Sequence, residues 1–421
     1  MIPEGTPIKE DTLPIWVPAV LATGPMVALG FARFAYALLL PAMTHSLSWS
    51  LTTAGAMNTV NALGYLLGAL LAPWMTRRWR LEPIFVLSLV VTSFTVLATG
   101  LTLVTVLLAI FRFISGVSGG VVFVVGGALV AQASANDSPR RAAILLGLYF
   151  GGAGLGIALS AWIVPVVLVS FPRLGWQMAW IILGILGLLT LLGVIPAARK
   201  TVHNTITRSR HDEFRDPSKP GQLCRLSPTF VAYGLYGSGY IVYMTFIIAF
   251  LQHQGVRVGE IVWFWTVLGG VSMLAPGIIG TVLGRTSGGR GTGGAILLVL
   301  AGVVLPLWST TPLAILGSAV LFGSAFLVVV TAVTTVARRN LPADQWTKAL
   351  ALLTVAFGIG QSLGPFITGW VSQNLGGVQS GLLLSAVILG AGAVAAFIQR
   401  DYPGTLESLA KPRCEAGEES T

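Results

Sequence analysis

No acidic residue sits in the middle of any long apolar run of this 421-residue chain. All fifteen fall in polar stretches or at run ends: Glu4, Glu10, Asp11, Glu82, Asp137, Asp212, Glu213, Asp216, Glu260, Asp344, Asp401, Glu407, Glu415, Glu418 and Glu419. Intramembrane proton relays and organic-cation sites ordinarily need a carboxylate or histidine at depth, so the absence argues against both. Charge of either sign is scarce, at 10% of residues against about 25% in soluble domains. A soluble fold is excluded. Cysteine is limited to Cys224 and Cys414, both in polar segments, which leaves no basis for a disulfide framework or a thiolate metal site. There is no Gly-Lys-Ser/Thr phosphate loop, no nucleophile–base pair and no histidine cluster. The expectation is a protein without catalytic residues, metal or cofactor, and not an enzyme.

What is present is apolar length. Hydrophobic residues make up 54% of the chain and the mean hydropathy is +0.83. A bilayer-crossing helix needs about 20 apolar residues. Twelve runs qualify or nearly do: 14–44, 51–75, 83–104, 106–133, 141–169, 176–198, 227–252, 259–283, 293–308, 312–337, 347–373 and 378–398. Met1–Leu13 carries Glu4, Glu10 and Asp11 and lacks a basic start, so no cleavable signal peptide is expected.

The net charge of +10 is distributed by topology. With both termini cytoplasmic, outer loops hold only Arg173 and Arg257, helices hold Arg33 and Arg112, and the other 21 of the 25 basic residues face inward. That bias follows the positive-inside rule and implies a bilayer partner, not nucleic acid. Trp16, Trp49, Trp176, Trp263 and Trp308 fit interfacial anchors.

The chain reads as two halves. Residues 1–198 and 227–400 each hold six runs, separated by a polar, basic linker at 199–226 and followed by a tail at 401–421. Offsetting the sequence by 207 residues aligns Gly30 with Gly237, Tyr36 with Tyr243, Gly116 with Gly323, Arg141 with Lys348, Phe150 with Phe357 and Gly151 with Gly358. Six matches in corresponding runs indicate a duplicated six-helix unit, with the halves related by an axis along the membrane normal.

Several motifs carry a family resemblance. Gly64-Tyr65-Leu66-Leu67-Gly68 with Thr76-Arg77-Arg78-Trp79-Arg80 resembles the helix 2–3 motif of the major facilitator superfamily. Arg112-Phe113-Ile114-Ser115-Gly116 resembles its helix 4 arginine motif, and Gly151–Gly156 its glycine-rich helix 5. Gly30–Met43, Gly239–Val242 and Phe357–Pro365 resemble the bacterial YbfB/YjiJ-like group within it. The resemblance implies an all-α membrane protein of twelve transmembrane helices in two pseudo-symmetric six-helix bundles, placed in the bacterial inner membrane. It also implies a gating role for Arg77, Arg78 and Arg80. Thr76 stands where the family carries an acid, so these arginines need another partner, such as Asp137 or a helix C-terminus.

The interior holds two positive charges, Arg33 and Arg112, and a guanidinium cannot shed its charge. The family fold implies that helices 1, 4, 7 and 10 line a central cavity, where the two can meet one ligand. Tyr233, Tyr236, Tyr240 and Tyr243 are spaced three and four apart on one helical face, and Tyr240 is the 207-offset counterpart of Arg33. Candidate substrate contacts are Arg33, Tyr36, Arg112, Tyr236, Tyr240, Tyr243 and Gln361; helix packing is the alternative role for each. The expected function is secondary active transport of a small organic anion by alternating access, with a proton or counter-ion as possible coupling partner, by a monomer. The alternative is a proton-coupled exporter of amphipathic drugs or metabolites.

Overall fold

A computed structural model describes residues 12–203, 223–283, 286–342 and 345–401. Among these residues the regular structure is entirely helical, and twelve helices are long and apolar enough to cross a bilayer. We number them α1 (Trp16–Leu47), α2 (Leu51–Arg78), α3 (Leu81–Thr99), α4 (Thr105–Ala133), α5 (Pro139–Ser170) and α6 (Gly175–His203). They continue as α7 (Ser227–His253), α8 (Val258–Leu283), α9 (Arg290–Trp308), α10 (Pro312–Asn340), α11 (Trp346–Asn374) and α12 (Gly377–Ile398). α6 runs five residues past 198, into the expected linker. Most of that linker, and the tail beyond 401, lie outside the described residues.

Local chemistry sets the helix ends. The Ser50 hydroxyl accepts from Thr53 N–H at 3.1 Å to start α2, and Ser138 and Thr311 cap α5 and α10 in the same way. Ser48, in the left-handed region at φ 52°, closes α1. Trp16, Trp263 and Trp308 are exposed as interfacial anchors require, but Trp176 is buried against the helices. Its place at the start of α6 turns inward, which corrects the interfacial expectation.

The repeat is reproduced in the contacts. A Cβ on Gly116 of α4 would overlap Asn61 O of α2, and one on Gly323 of α10 would overlap Leu268 O of α8. Both members of the second pair lie 207 residues beyond the first. The same holds between the halves: Gly151 of α5 rests on Met273 of α8, and Gly358 of α11 rests on Leu66 of α2. Small residues let these backbones approach closely where lipid supplies no hydrophobic drive.

Polar contacts between the halves run from mid-membrane to the side away from the helix termini Trp16 and Ile398, here called the far side. Asn58 Nδ2 donates to Thr245 Oγ1 at 2.5 Å, Thr59 Oγ1 to Ser362 O at 2.6 Å, and Thr52 Oγ1 to Gln373 Oε1 at 2.6 Å. α2 packs along α11, and α5 along α8.

Two helices depart from α geometry at the centre. Met26–Phe34 of α1 is π-helical, and α10 breaks its helix at Phe326-Leu327. The two irregular stretches meet, with the Phe34 and Phe326 rings edge to face at 6.2 Å. Departures of this kind concentrate at functional sites and hinges.

Candidate functional site

Arg33 lies in the last turn of the π-helical stretch, Tyr240 lies midway along α7, and Gln361 lies midway along α11. They converge. Arg33 Nη2 donates to Gln361 Oε1 at 2.7 Å, and the Tyr240 hydroxyl donates to the same oxygen at 3.2 Å. All three are buried, Arg33 to 3% exposure. Four ion pairs occur among the described residues, and none involves Arg33 or Arg112. The Arg33 charge is therefore held by a neutral amide and by ring faces, and its Nε–H has no hydrogen-bond partner among the described residues.

Aromatic rings surround this group. Tyr65 of α2 lies under the Arg33 guanidinium, 5.1 Å from the ring centroid, a cation–π contact. Tyr240 stacks on Phe357 at 5.5 Å, and Tyr233 stacks on the same ring at 4.7 Å. Tyr65 and Phe357 are half-buried. Tyr65 was not among the candidates read from the sequence. A signal was available: Asn58, Asn61 and Tyr65 are spaced three and four apart, a polar stripe on one face of α2.

The other candidates divide differently. Tyr236 stacks on Tyr240 at 5.2 Å, but its hydroxyl donates to Phe326 O at the α10 break. Tyr243 turns away, sharing a hydrogen bond of 2.5 Å with Ser318 of α10. Arg112 and Tyr36 form a second group. Arg112 Nη1 donates to Ala32 O inside the π-helical stretch at 2.6 Å, and its guanidinium lies 4.4 Å from the Tyr36 ring centroid and 5.6 Å from that of Trp180. The Tyr36 hydroxyl donates to Ala54 O at 2.8 Å. Asn58 joins this group to the other half, accepting from Arg112 at 3.4 Å while donating to Thr245.

At the ends of α2 and α3, Arg78 stacks on Trp74 at 4.9 Å, while Arg80 borders a cavity of about 370 Å³ that also touches Glu82, Gln132 and Thr201. Asp137, one partner suggested for these arginines, instead pairs with Arg141 at 2.9 Å and accepts from Leu13 N–H at 3.4 Å.

Comparison with known proteins agrees with this architecture. Residues 25–398 match the family model described as "Uncharacterised MFS-type transporter YbfB". The purine ribonucleoside efflux pump NepI of Escherichia coli (strain K12) is 21% identical over 252 residues, which cover 60% of this chain and 61% of the pump. The match thus spans about three-fifths of that relative's length. NepI of Escherichia coli O6:K15:H31 is 21% identical over 389 residues, covering 92% of this chain and 95% of the relative. Among solved structures, the nucleoside transporter NupG aligns with a TM-score of 0.67 at 13% identity, over 94% of this chain and 99% of that one. A bacterial homologue of the lysosomal transporter Spinster, inward-facing and unoccupied, aligns at 0.66 and 16% identity, over 94% and 97%. The far-side packing, the duplicated six-helix contacts and the match over residues 25–398 lead to one conclusion: this chain belongs to the YbfB-type family of major facilitator superfamily transporters, multi-pass membrane proteins and not enzymes.

Proposed function

We propose that this transporter carries a small organic anion across the bacterial inner membrane by alternating access, with Arg33 as its principal contact. One observation carries the reading: the Arg33 guanidinium, buried midway along α1, has no carboxylate partner among the described residues, keeps an unpaired N–H, and bonds one neutral acceptor, Gln361, where Arg112 bonds two. Intramembrane charge is costly, about 2.5–3.5 kcal/mol on insertion scales and more in hydrocarbon. An anion offsets that cost on binding and thereby favours occlusion. The far-side contacts support a resting state closed on the far side, with the terminal side cytoplasmic by the positive-inside bias. The halves 1–198 and 227–400 are the moving bodies, joined by the linker at 199–226. Arg77, Arg78 and Arg80 act in gating at its cytoplasmic face. Arg112, capping the π-helical stretch, fixes the backbone that carries Arg33.

A second reading is export of a neutral planar metabolite such as a purine nucleoside. It is favoured by the stacked rings of Tyr233, Tyr240 and Phe357 and by the substrates named for NepI and NupG. Counterflow in proteoliposomes separates the two. Vesicles preloaded with succinate, benzoate, adenosine or inosine are scored for uptake of the labelled compound by wild type and Arg33→Ala. Carboxylate exchange that Arg33→Ala abolishes supports the anion. Nucleoside exchange that survives Arg33→Ala overturns it.

A further inference from the structure

We infer that Gln361 is locked as a hydrogen-bond donor toward the substrate, so that the centre selects a group that only accepts, a carboxylate or similar oxyanion, over a nucleobase. This rests on the reading of Arg33 as the substrate contact and assigns the selectivity to a second residue.

Amide orientation is ordinarily ambiguous, but here chemistry settles it. A guanidinium has five donors and no acceptor, so the Gln361 atom facing Arg33 Nη2 at 2.7 Å is the oxygen. The Tyr240 hydroxyl, 3.2 Å from the same oxygen, occupies its second lone pair. Gln361 has thereby spent its whole acceptor capacity inside the protein. Its Nε2, with two N–H donors, has no partner among the described residues.

Arg33 Nε–H is unpartnered as well. The 2.7 Å contact is thus flanked by Arg33 Nε–H on α1, buried without a partner among the described residues, and by the Gln361 amide N–H groups on α11. Among the described residues no carboxylate is paired with this group. The nearby phenolic hydroxyls of Tyr65 and Tyr233 can donate, while the Tyr240 proton is already given to Gln361 Oε1.

A carboxylate offers about four lone-pair positions and no donor, so it can take N–H groups from both halves at once. A ligand of that kind ties α1 to α11 while it is bound, which links occupancy to closure of the halves. A purine brings its own N–H donors, and those would be desolvated without an acceptor. Sites built around hydrogen bonds reject a mismatched partner by orders of magnitude, because the unpaired polar group carries its full desolvation cost.

The experiment uses purified full-length protein in detergent, with succinate, benzoate, adenosine and inosine as probes and thermal unfolding as the readout. Gln361→Glu places a carboxylate against Arg33. The expected result is a higher Tm without ligand, from the new ion pair, together with at least a tenfold loss of affinity for the best carboxylate. Gln361→Met, which removes both donor and acceptor, is the second variant; it is expected to lose carboxylate affinity by a similar factor without the gain in Tm. Full carboxylate affinity in both variants, with binding still abolished by Arg33→Ala, overturns the role of Gln361 and leaves the reading of Arg33 standing. Carboxylate binding that is equal in wild type and Arg33→Ala overturns the reading of Arg33 itself. Adenosine or inosine bound by wild type as tightly as the best carboxylate overturns the selectivity assigned to Gln361.

Discussion

Arg33 and Tyr240 stand 207 residues apart, at equivalent places in the two repeats, and both donate to Gln361 Oε1. The duplicated helix has thus been given a cation in one half and a phenol in the other. The two meet through a third residue at mid-membrane, where a hydrogen bond to an ionised donor is stronger than one between neutral groups.

Tyr240→Phe tests the weaker of these bonds. The substitution removes the 3.2 Å contact but keeps the ring stacked on Phe357. The expected loss is about 0.5–1.5 kcal/mol of stability, the net value of one neutral hydrogen bond. Substrate affinity should fall by less than tenfold, well short of the Arg33→Ala effect. Thermal unfolding and ligand titration of the two variants check the order.

Arg112 and Arg33 should respond in opposite ways to removal. Arg112 holds Ala32 O at 2.6 Å and lies against two aromatic rings. Arg112→Ala is expected to destabilise by about 1.5–3 kcal/mol, the range for a hydrogen bond to a charged group. Arg112→Lys should recover part of this, since a lysine keeps the charge but lacks the planar fork. Arg33→Ala removes a buried charge with a single neutral acceptor in the protein, so its Tm should change little or rise. Thermal unfolding of the three variants without ligand decides this. A larger destabilisation by Arg33→Ala than by Arg112→Ala would contradict the assignment of roles.

The far-side closure depends on close backbone approach. A Cβ at Gly55 of α2 would overlap Pro365 O of α11, and backbone cannot yield as a flexible side chain can. Gly55→Ala should therefore separate the halves on the far side and further expose the half-buried Thr52, which bonds Gln373 at 2.6 Å. In a background with Cys224 and Cys414 replaced by Ser, Thr52→Cys is expected to react several-fold faster with maleimide when Gly55→Ala is present. Equal rates would mean that the α2–α11 contact does not control access.

Much of this arrangement was legible in the sequence because the membrane makes a coarse demand. Twelve apolar runs gave twelve helices, and Arg33 stood out because a lone charge in such a run needs a reason. The 207-residue offset was visible in six matches, and the contacts Gly116–Asn61 and Gly323–Leu268 show the same offset in three dimensions. The π-helical stretch was not legible, since Met26–Phe34 has the same apolar composition in either helix type. The α10 break had a signal in the Gly323-Ser324 pair just before it, a known site of kinking. Tyr243 shares the tyrosine face of α7 but bonds Ser318, because spacing along a helix reports a face and not which neighbour meets it. Trp176 was misplaced for the same reason: position near a helix end does not say which way the ring turns.

The most direct measurement is ligand-induced thermal stabilisation of wild type and Arg33→Ala in the same detergent, across carboxylates and neutral purine nucleosides. A ligand at one hundred times its Kd adds about 2.7 kcal/mol, which is readily seen as a shift in Tm. The expected result is a carboxylate that stabilises wild type and leaves Arg33→Ala unmoved. Equal stabilisation of both proteins by nucleosides, with no carboxylate effect on either, would make Arg33 a structural residue and the substrate neutral.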